Sequence, residues 1–180
     1  MSNFKAALLI VLDHEGKEYT DDPDDNGGPT KWGIALNDDF GALSKILGRP
    51  ATAEDIKNMT PEIAAQIYEP NYWDPMSLDH VVSDYNSLVL FDQGVLEGIR
   101  EVTVLAQQVC GIPDDGIFGP QTLAHVNAMG SADFCKAFLQ SCANHYKGIV
   151  NANPKDAKYL AGWENRVLDL AKITGVTVVV

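Results

Sequence analysis

The chain has few cysteines, few basic residues and no long apolar run. Its three cysteines, Cys110, Cys135 and Cys142, form neither a disulfide framework nor a zinc-type spacing, so we expect reduced, buried thiols. Thirteen lysines and arginines stand against 25 aspartates and glutamates, which gives a net charge of −12. An acidic chain of this kind is a poor ligand for nucleic acid or for an anionic membrane surface.

The longest apolar run covers residues 6–12 and ends at Asp13. It is too short to cross a membrane, and no small-residue cleavage site follows it. The run therefore predicts a helix, no membrane insertion and no classical signal peptide. The four histidines also lack the spacing of paired zinc ligands, which argues against a zinc amidase or peptidase.

Apolar residues make up 46% of the 180 residues, enough for one folded unit with a sizeable core. Most of them recur at helical spacing. The pattern predicts a first helix that ends at Glu15, a buried central helix from about Val82 to Gly98, and a last helix over residues 160–170. Only residues 31–36 favour a strand or hairpin arm. The expected fold class is mainly α (α+β), a helical core with a small β element near residues 31–36.

Local signals add helix starts and core positions to this outline. Thr52 opens a capping-box pattern, and Ser131 stands where it could cap a long helix. Phe134 and Phe138 share one face of that helix, and Trp163 lies on the apolar side of the last one. We expect these three aromatic residues in the core.

An acidic loop follows the first helix. Glu15 closes an apolar helix face, where burial favours the neutral, protonated form of a carboxyl group. Asp22, Asp24 and Asp25 lie on a glycine-containing loop that ends near Thr30. A protonated acid facing a second, ionised or hydrogen-bonding group is the arrangement that cleaves glycosidic bonds. The same residues also suit an ordinary helix end followed by turns.

The loop also invites a calcium interpretation. The run Asp22-x-Asp24-x-Asn26-Gly27 copies the first six positions of an EF-hand loop. The twelfth position, however, is Gly33 instead of a glutamate, and Pro23 interrupts the loop. Turn formation is therefore favoured over calcium binding, and we expect neither a metal nor a cofactor.

Residues 12–34 read LDHEGKEYTDDPDDNGGPTKWGI. This stretch resembles the opening motif of the N-acetylmuramidases of glycoside hydrolase family 108, in which Glu-Gly-Gly-Tyr is followed by Asp-Pro, Asp, Gly-Gly, Thr and Gly-Ile. Other parts of the chain resemble later motifs of that family: Tyr68, Tyr72 and Trp73, Phe91-Asp92, residues 95–98, residues 115–122, and Gly162-Trp163 with Arg166. The resemblance therefore extends over almost the whole chain.

The resemblance implies a lysozyme-like fold and cleavage of the β-1,4 bond between N-acetylmuramic acid and N-acetylglucosamine in bacterial peptidoglycan. Glu15 takes the place of the general acid. Two spacings compete for the second group, which is Asp25 by its neighbours or Asp24 by the spacing that also selects Thr30. The aromatic candidates for sugar contact are Tyr19, Trp32, Tyr68, Tyr72 and Trp73.

The chain departs from the family pattern in three respects. Lys17 and Glu18 precede Tyr19 where a single glycine is usual, so the loop is one residue longer. Glu97 replaces an asparagine in the segment Leu96-Glu97-Gly98. The net charge of −12 also opposes the carboxylates of peptidoglycan, so we expect binding to depend on aromatic stacking and sugar hydrogen bonds.

The resemblance also organises the chain. We expect one lysozyme-like unit over residues 1–180, with a catalytic lobe over 1–80 and a helical lobe resembling a peptidoglycan-binding part over 81–180. The predicted protein is a monomeric endolysin-type muramidase, made in the bacterial (host) cytoplasm and acting on the cell wall. Two alternatives stay open: a lytic transglycosylase that cuts the same bond, and a non-catalytic peptidoglycan-binding or secretion accessory protein.

Overall fold

The computed structural model describes residues 3–21, 27–37 and 41–180. It divides into two compact units, Asn3–Asp74 and Pro75–Val180. Both are built mainly of helices, and the first also holds a two-stranded antiparallel sheet. The predicted mainly α, lysozyme-like (α+β) class with a small β element is confirmed. Within the described part of the chain, no helix is both long and apolar enough to span a bilayer.

Short elements make up the first unit. In chain order they are α1 (Phe4–Glu15), β1 (Thr30–Lys31), β2 (Ile34–Ala35), α2 (Ala42–Leu47), α3 (Ala53–Lys57) and α4 (Pro61–Tyr68). Helix α1 buries Ala7, Leu8, Val11 and Leu12 and packs against α4. Strand β1 pairs with β2 in the register Thr30 to Ala35 and Lys31 to Ile34. The predicted hairpin arm is therefore a short hairpin within residues 30–35.

The predicted capping box at Thr52 is present. The Asp55 backbone N–H donates to the Thr52 hydroxyl, and the Thr52 backbone N–H donates to the Asp55 carboxylate. Arg49 also donates two hydrogen bonds to Asp55, at 2.6 and 2.7 Å, and these bonds hold the pKa of this carboxyl far below its usual range. This local pattern fixes the start of α3 because all of its partners lie within a few residues.

Longer helices form the second unit. They are α5 (Asp84–Glu97), α6 (Ile99–Cys110), α7 (Pro120–Ala128), α8 (Ser131–Ala152) and α9 (Ala157–Thr174). The central helix predicted from about Val82 to Gly98 is α5, and Phe134 and Phe138 are fully buried on α8 as expected. Trp163, expected in the core, is only half-buried. After α9, the side-chain amide of Gln140 both donates to and accepts from the backbone of Val179, which holds the valine-rich tail.

The predicted capping role of Ser131 is wrong. Gly130 precedes α8 as its cap residue, and Ser131 is the first residue of the helix. The Ser131 hydroxyl instead lies 2.6 Å from the Ser83 hydroxyl and 3.1 Å from the Asn86 side-chain oxygen, at the start of α5. The Ser131 hydroxyl thus contacts the start of another helix and does not cap its own. A local sequence pattern does not predict such a contact.

A buried polar network joins α5, α8 and α9. The Asp92 side chain is fully buried and lies 2.8 Å from the Arg166 Nε. Gln93 donates to Asp92 and accepts a 2.6 Å hydrogen bond from the Tyr146 hydroxyl. The ring of Tyr146 in turn stacks on Trp163 at a centroid distance of 5.2 Å. Two distant sequence motifs, Phe91-Asp92 and Gly-Trp-x-x-Arg, thus meet in one cluster.

Candidate active site

Glu15 is the last residue of α1, and its side chain is half-buried. Gly16 follows with φ +94°, a conformation that ends the helix and that other residues rarely adopt. The Glu15 carboxylate faces the hairpin turn. One of its oxygens lies 2.7 Å from the point that a Cβ atom would occupy on Gly33.

The turn of the hairpin has an uncommon backbone. Trp32 and Gly33 are consecutive residues with φ values of +51° and +68°. The Trp32 backbone N–H donates to the Gly16 carbonyl at 3.1 Å, and the Tyr68 hydroxyl donates to the Trp32 carbonyl at 2.7 Å. Because a tryptophan in the left-handed region is strained, these two bonds hold a turn that the sequence alone does not favour.

Tyr68 and Tyr72 come from the end of α4. The helix continues into a π-helical turn, Glu69–Trp73, in which Pro70 has no N–H to donate and the Asn71 side chain donates to the Ile67 carbonyl. The Tyr68 and Tyr72 rings lie 5.7 Å apart. Burial raises the pKa of Tyr72, and the nearby negative charge of Glu15 raises it further. Glu15, Tyr68, Tyr72 and the Trp32–Gly33 turn therefore form one cluster, called here the Glu15 cluster.

Two family models match the sequence. The model of the family described as glycosyl hydrolase 108 matches residues 8–98. The chain belongs to the glycosyl hydrolase 108 family. A second model, described as a predicted peptidoglycan domain, matches residues 101–168 of this family 108 protein. Together the two matches support a glycosidase that acts on peptidoglycan.

Solved structures match as well. The chain is similar to the structure of Brucella abortus SagA, with a TM-score of 0.73 and 27% sequence identity over 95% of this chain and 92% of that one. Eleven solved chains match in all. No curated protein matches this family 108 chain.

The structure brings only some of the predicted residues of this family 108 protein to the Glu15 cluster. Trp73 is 1% exposed and packs edge-on against Phe4, so it offers no face to a sugar. Tyr68 is also buried, and its hydroxyl binds the Trp32 carbonyl. Trp32 and Tyr72 are half-buried. The Tyr19 hydroxyl donates to Asp21 at 3.2 Å.

Of the candidates for the second group, the structure describes only Thr30. Asp24 and Asp25, like Asp22 and the rest of the proposed calcium run up to Asn26, lie outside the described residues. The Thr30 hydroxyl donates to the Gly28 carbonyl at 2.8 Å, while its backbone pairs with Thr20. Among the described residues, no group of three or more His, Cys, Asp or Glu side chains is arranged to hold a metal ion.

Sequence reasoning gave no role to two residues that shape the cluster. Gly33 stands in the Gly-Ile pair of the motif, but its closeness to Glu15 depends on how the hairpin packs. The Lys31 ammonium donates to the carbonyls of Lys57 and Met59 and lies 4.7 Å from the centre of the Trp32 ring. It thus ties β1 to the end of α3. The sequence of the hairpin around Lys31 does not predict its contacts with the end of α3.

Glu97, the departure from the family pattern in the second unit, has a partner on α8. Its carboxylate lies 3.6 Å from the Nε2 of His145, and the Glu101 carboxylate lies 3.6 Å from the Nδ1. The nearby Glu97 and Glu101 carboxylates raise the pKa of His145 against an opposing effect of burial. An asparagine at position 97 would be uncharged and could not form an ion pair with His145.

The loop between α6 and α7 contains the motif Asp115-Gly116. The Gln107 side chain organises it: its amide donates to Asp115, to the Ile117 carbonyl and to the Thr122 hydroxyl, and its oxygen accepts from the Gly116 N–H. Gly116 has φ +74°, and a Cβ there would lie 2.9 Å from the Arg100 side chain. These contacts give the motif a structural role within the segment matched by the peptidoglycan model.

Proposed function

We propose that this protein is an N-acetylmuramidase that hydrolyses the β-1,4 bond between N-acetylmuramic acid and N-acetylglucosamine. Membership of the glycosyl hydrolase 108 family and the match to a peptidoglycan domain support this substrate. The observation that carries the proposal is the position of Glu15, a half-buried carboxyl at a helix end that packs closely against the backbone of Gly33.

In the proposed reaction, Glu15 donates its proton to the glycosidic oxygen, and that oxygen leaves as the 4-hydroxyl of N-acetylglucosamine. A water molecule adds to C1 of N-acetylmuramic acid, and its proton passes to a base. Asp25 or Asp24, with Thr30, is proposed to orient that water or to stabilise the positive charge that develops at the sugar. The glycine at position 33 leaves room for the carboxylate in this position, because a Cβ atom there would lie 2.7 Å from one of its oxygens.

The sequence also supports a proposal for the origin, the location and the sugar contacts of the protein. We propose a monomeric endolysin, of bacteriophage origin, which is made in the bacterial cytoplasm and acts on the cell wall. Tyr19, Trp32 and Tyr72 are proposed to contact the sugar. Tyr68 and Trp73, being buried, are proposed to support that surface from behind.

The test uses isolated Gram-negative sacculi and mass spectrometry of the soluble products. We expect reducing N-acetylmuramic acid ends from the wild type, and a loss of several orders of magnitude in turnover for Glu15→Gln at unchanged thermal stability. The matched control is Glu18→Gln, an exposed carboxyl three residues away, which should keep full activity.

Other outcomes of this experiment would support one of the alternative functions. Release of 1,6-anhydro ends would indicate the lytic transglycosylase, in which the muramyl 6-hydroxyl replaces water. Sedimentation with sacculi without release of any fragment would indicate a binding or secretion accessory protein. Wild-type turnover by Glu15→Gln would contradict the assignment of the acid.

A further inference from the structure

The start of α9 carries an exposed aromatic residue in an unusual setting. Tyr159 is 50% exposed, although its ring contacts two neighbouring side chains. Its ring lies 5.8 Å from that of Trp163, one helical turn along α9, and the Lys158 ammonium lies 4.7 Å from its centre. We call Lys158, Tyr159 and Trp163 the α9 platform.

The platform rests on a rigid base. Trp163 stacks on Tyr146, and the Tyr146 hydroxyl donates to Gln93 inside the buried network described above. Each ring from Tyr146 outward is therefore fixed by its neighbour, so ordering Tyr159 for a ligand costs little side-chain entropy. Rings that are held in this way and partly exposed to solvent are suited to stacking against sugar rings.

The lysine at the platform is available to a ligand. In the described part of the chain, Lys158 contacts no carboxylate, and its ammonium meets the Tyr159 ring alone. It is the second residue of α9, where the helix dipole disfavours a cation, so its position does not serve helix stability. An ammonium over the ring also shows that the face accepts partial positive charge, such as the C–H groups of a sugar carry.

Charge around the platform differs from that of the whole chain. Residues 147–164 contain three lysines, Lys147, Lys155 and Lys158, and two acidic residues, Asp156 and Glu164. The Asp156 carboxylate accepts a hydrogen bond from Asn153. This segment is thus locally basic in a chain of net charge −12, and it offsets the repulsion expected from peptidoglycan carboxylates.

From these observations we propose that the α9 platform is a binding site for the glycan strand of peptidoglycan. Lys158 moves from the Tyr159 ring to a carboxylate of the lactyl-peptide substituent, and one amino sugar stacks on the ring. The proposal rests on the proposed action on peptidoglycan, and it assigns a wall contact to the second unit, within the segment matched by the peptidoglycan model.

The test measures binding of the Glu15→Gln protein to isolated Gram-negative sacculi by sedimentation. We expect Tyr159→Ala to weaken binding about tenfold, the effect of one lost stacking contact, and Tyr159→Phe to bind normally because the ring remains. The matched control is Tyr85→Ala, which removes a tyrosine of similar exposure, 48%, from α5 and should leave binding unchanged. Thermal melts verify that each variant is folded.

A second variant isolates the charge. Lys158→Gln should weaken binding about threefold at low ionic strength and have no effect in 0.5 M salt, because screening removes an exposed ion pair. Equal binding of Tyr159→Ala and its parent, or equal losses for Tyr159→Ala and Tyr85→Ala, would overturn the platform. Failure of the muramidase proposal is distinct from this outcome, since it would appear as missing reducing ends from the wild type with the binding differences intact.

Discussion

The two units keep their important side chains in place by different means. In Asn3–Asp74 the backbone fixes the site. Two residues with positive φ and two hydrogen bonds to main-chain carbonyls hold the turn beside Glu15. In Pro75–Val180 buried side chains hold one another, as Asp92, Arg166, Gln93 and Tyr146 do. The first arrangement places one carboxylate, and the second stabilises a helical framework. Substitutions at the turn beside Glu15 should therefore mainly reduce turnover, whereas substitutions in the buried network should mainly reduce stability.

The largest loss of stability is expected from Arg166→Met in the second unit. The variant leaves the fully buried Asp92 carboxylate without its charged partner, which costs about 3–5 kcal/mol of folding free energy. Chemical denaturation should show this loss. Lys172→Met, which removes an exposed lysine from the same helix, should change stability by less than about 0.5 kcal/mol.

A double variant sharpens this prediction. Asp92→Asn combined with Arg166→Met removes both charges, so the free energy of unfolding should recover part of the loss seen with Arg166→Met alone. A double variant as unstable as the sum of the two single variants would contradict an interacting pair.

Gly33→Ala should instead reduce turnover. The alanine would have to adopt φ +68°, and its Cβ would lie 2.7 Å from a Glu15 oxygen, so the carboxylate must move. A displacement of this kind is expected to lower kcat by about 10- to 100-fold, with a stability loss of only about 1–2 kcal/mol. Release of reducing ends from sacculi and a thermal melt on the same sample measure both quantities.

Tyr68→Phe serves as the companion variant because it removes the hydrogen bond to the Trp32 carbonyl and adds no bulk. It should reduce kcat in the same direction but less than Gly33→Ala. Full activity in both variants would mean that the turn does not position Glu15.

The smallest effect concerns His145. Its pKa is raised in the folded protein by Glu97 and Glu101, so the stabilisation is complete below the unfolded value of 6.5 and disappears as the pH rises through the folded value. His145→Gln should therefore lower the melting temperature by about 1–3 °C at pH 5.5 and have no effect at pH 9. His125→Gln, which removes an exposed histidine on α7, is the matched control. An equal loss at both pH values would indicate packing instead of charge.

Features with nearby partners were predictable from the sequence, and those with distant partners were not. The capping box at Thr52 and the hairpin near residues 31–36 depend on neighbours a few positions away, and both are present. The cap at Ser131 was wrong because its hydroxyl contacts the start of another helix. Trp163 is half-buried because the rings of Tyr146 and Tyr159 cover it only in part.

The candidate site follows the same rule. The motif predicted Glu15 as the acid and placed it at a helix end, where the structure has it. Its assignment as the acid stays a prediction, as does the choice between Asp24 and Asp25. The motif did not indicate which aromatic residues are buried: Tyr68 and Trp73 are buried, whereas Trp32 and Tyr72 are half-buried.

The three cysteines have a consequence for the covalent state of the protein. All three are free, and burial raises the pKa of Cys135 to about 11 and that of Cys142 well above its usual value. Cys135 and Cys142 lie seven residues apart on α8, which separates their Cα atoms by about 10 Å, more than a disulfide can bridge. Passage from a reducing to an oxidising environment would therefore leave α8 without an internal crosslink, and its two thiols would react slowly with alkylating or oxidising reagents as long as the helix stays packed.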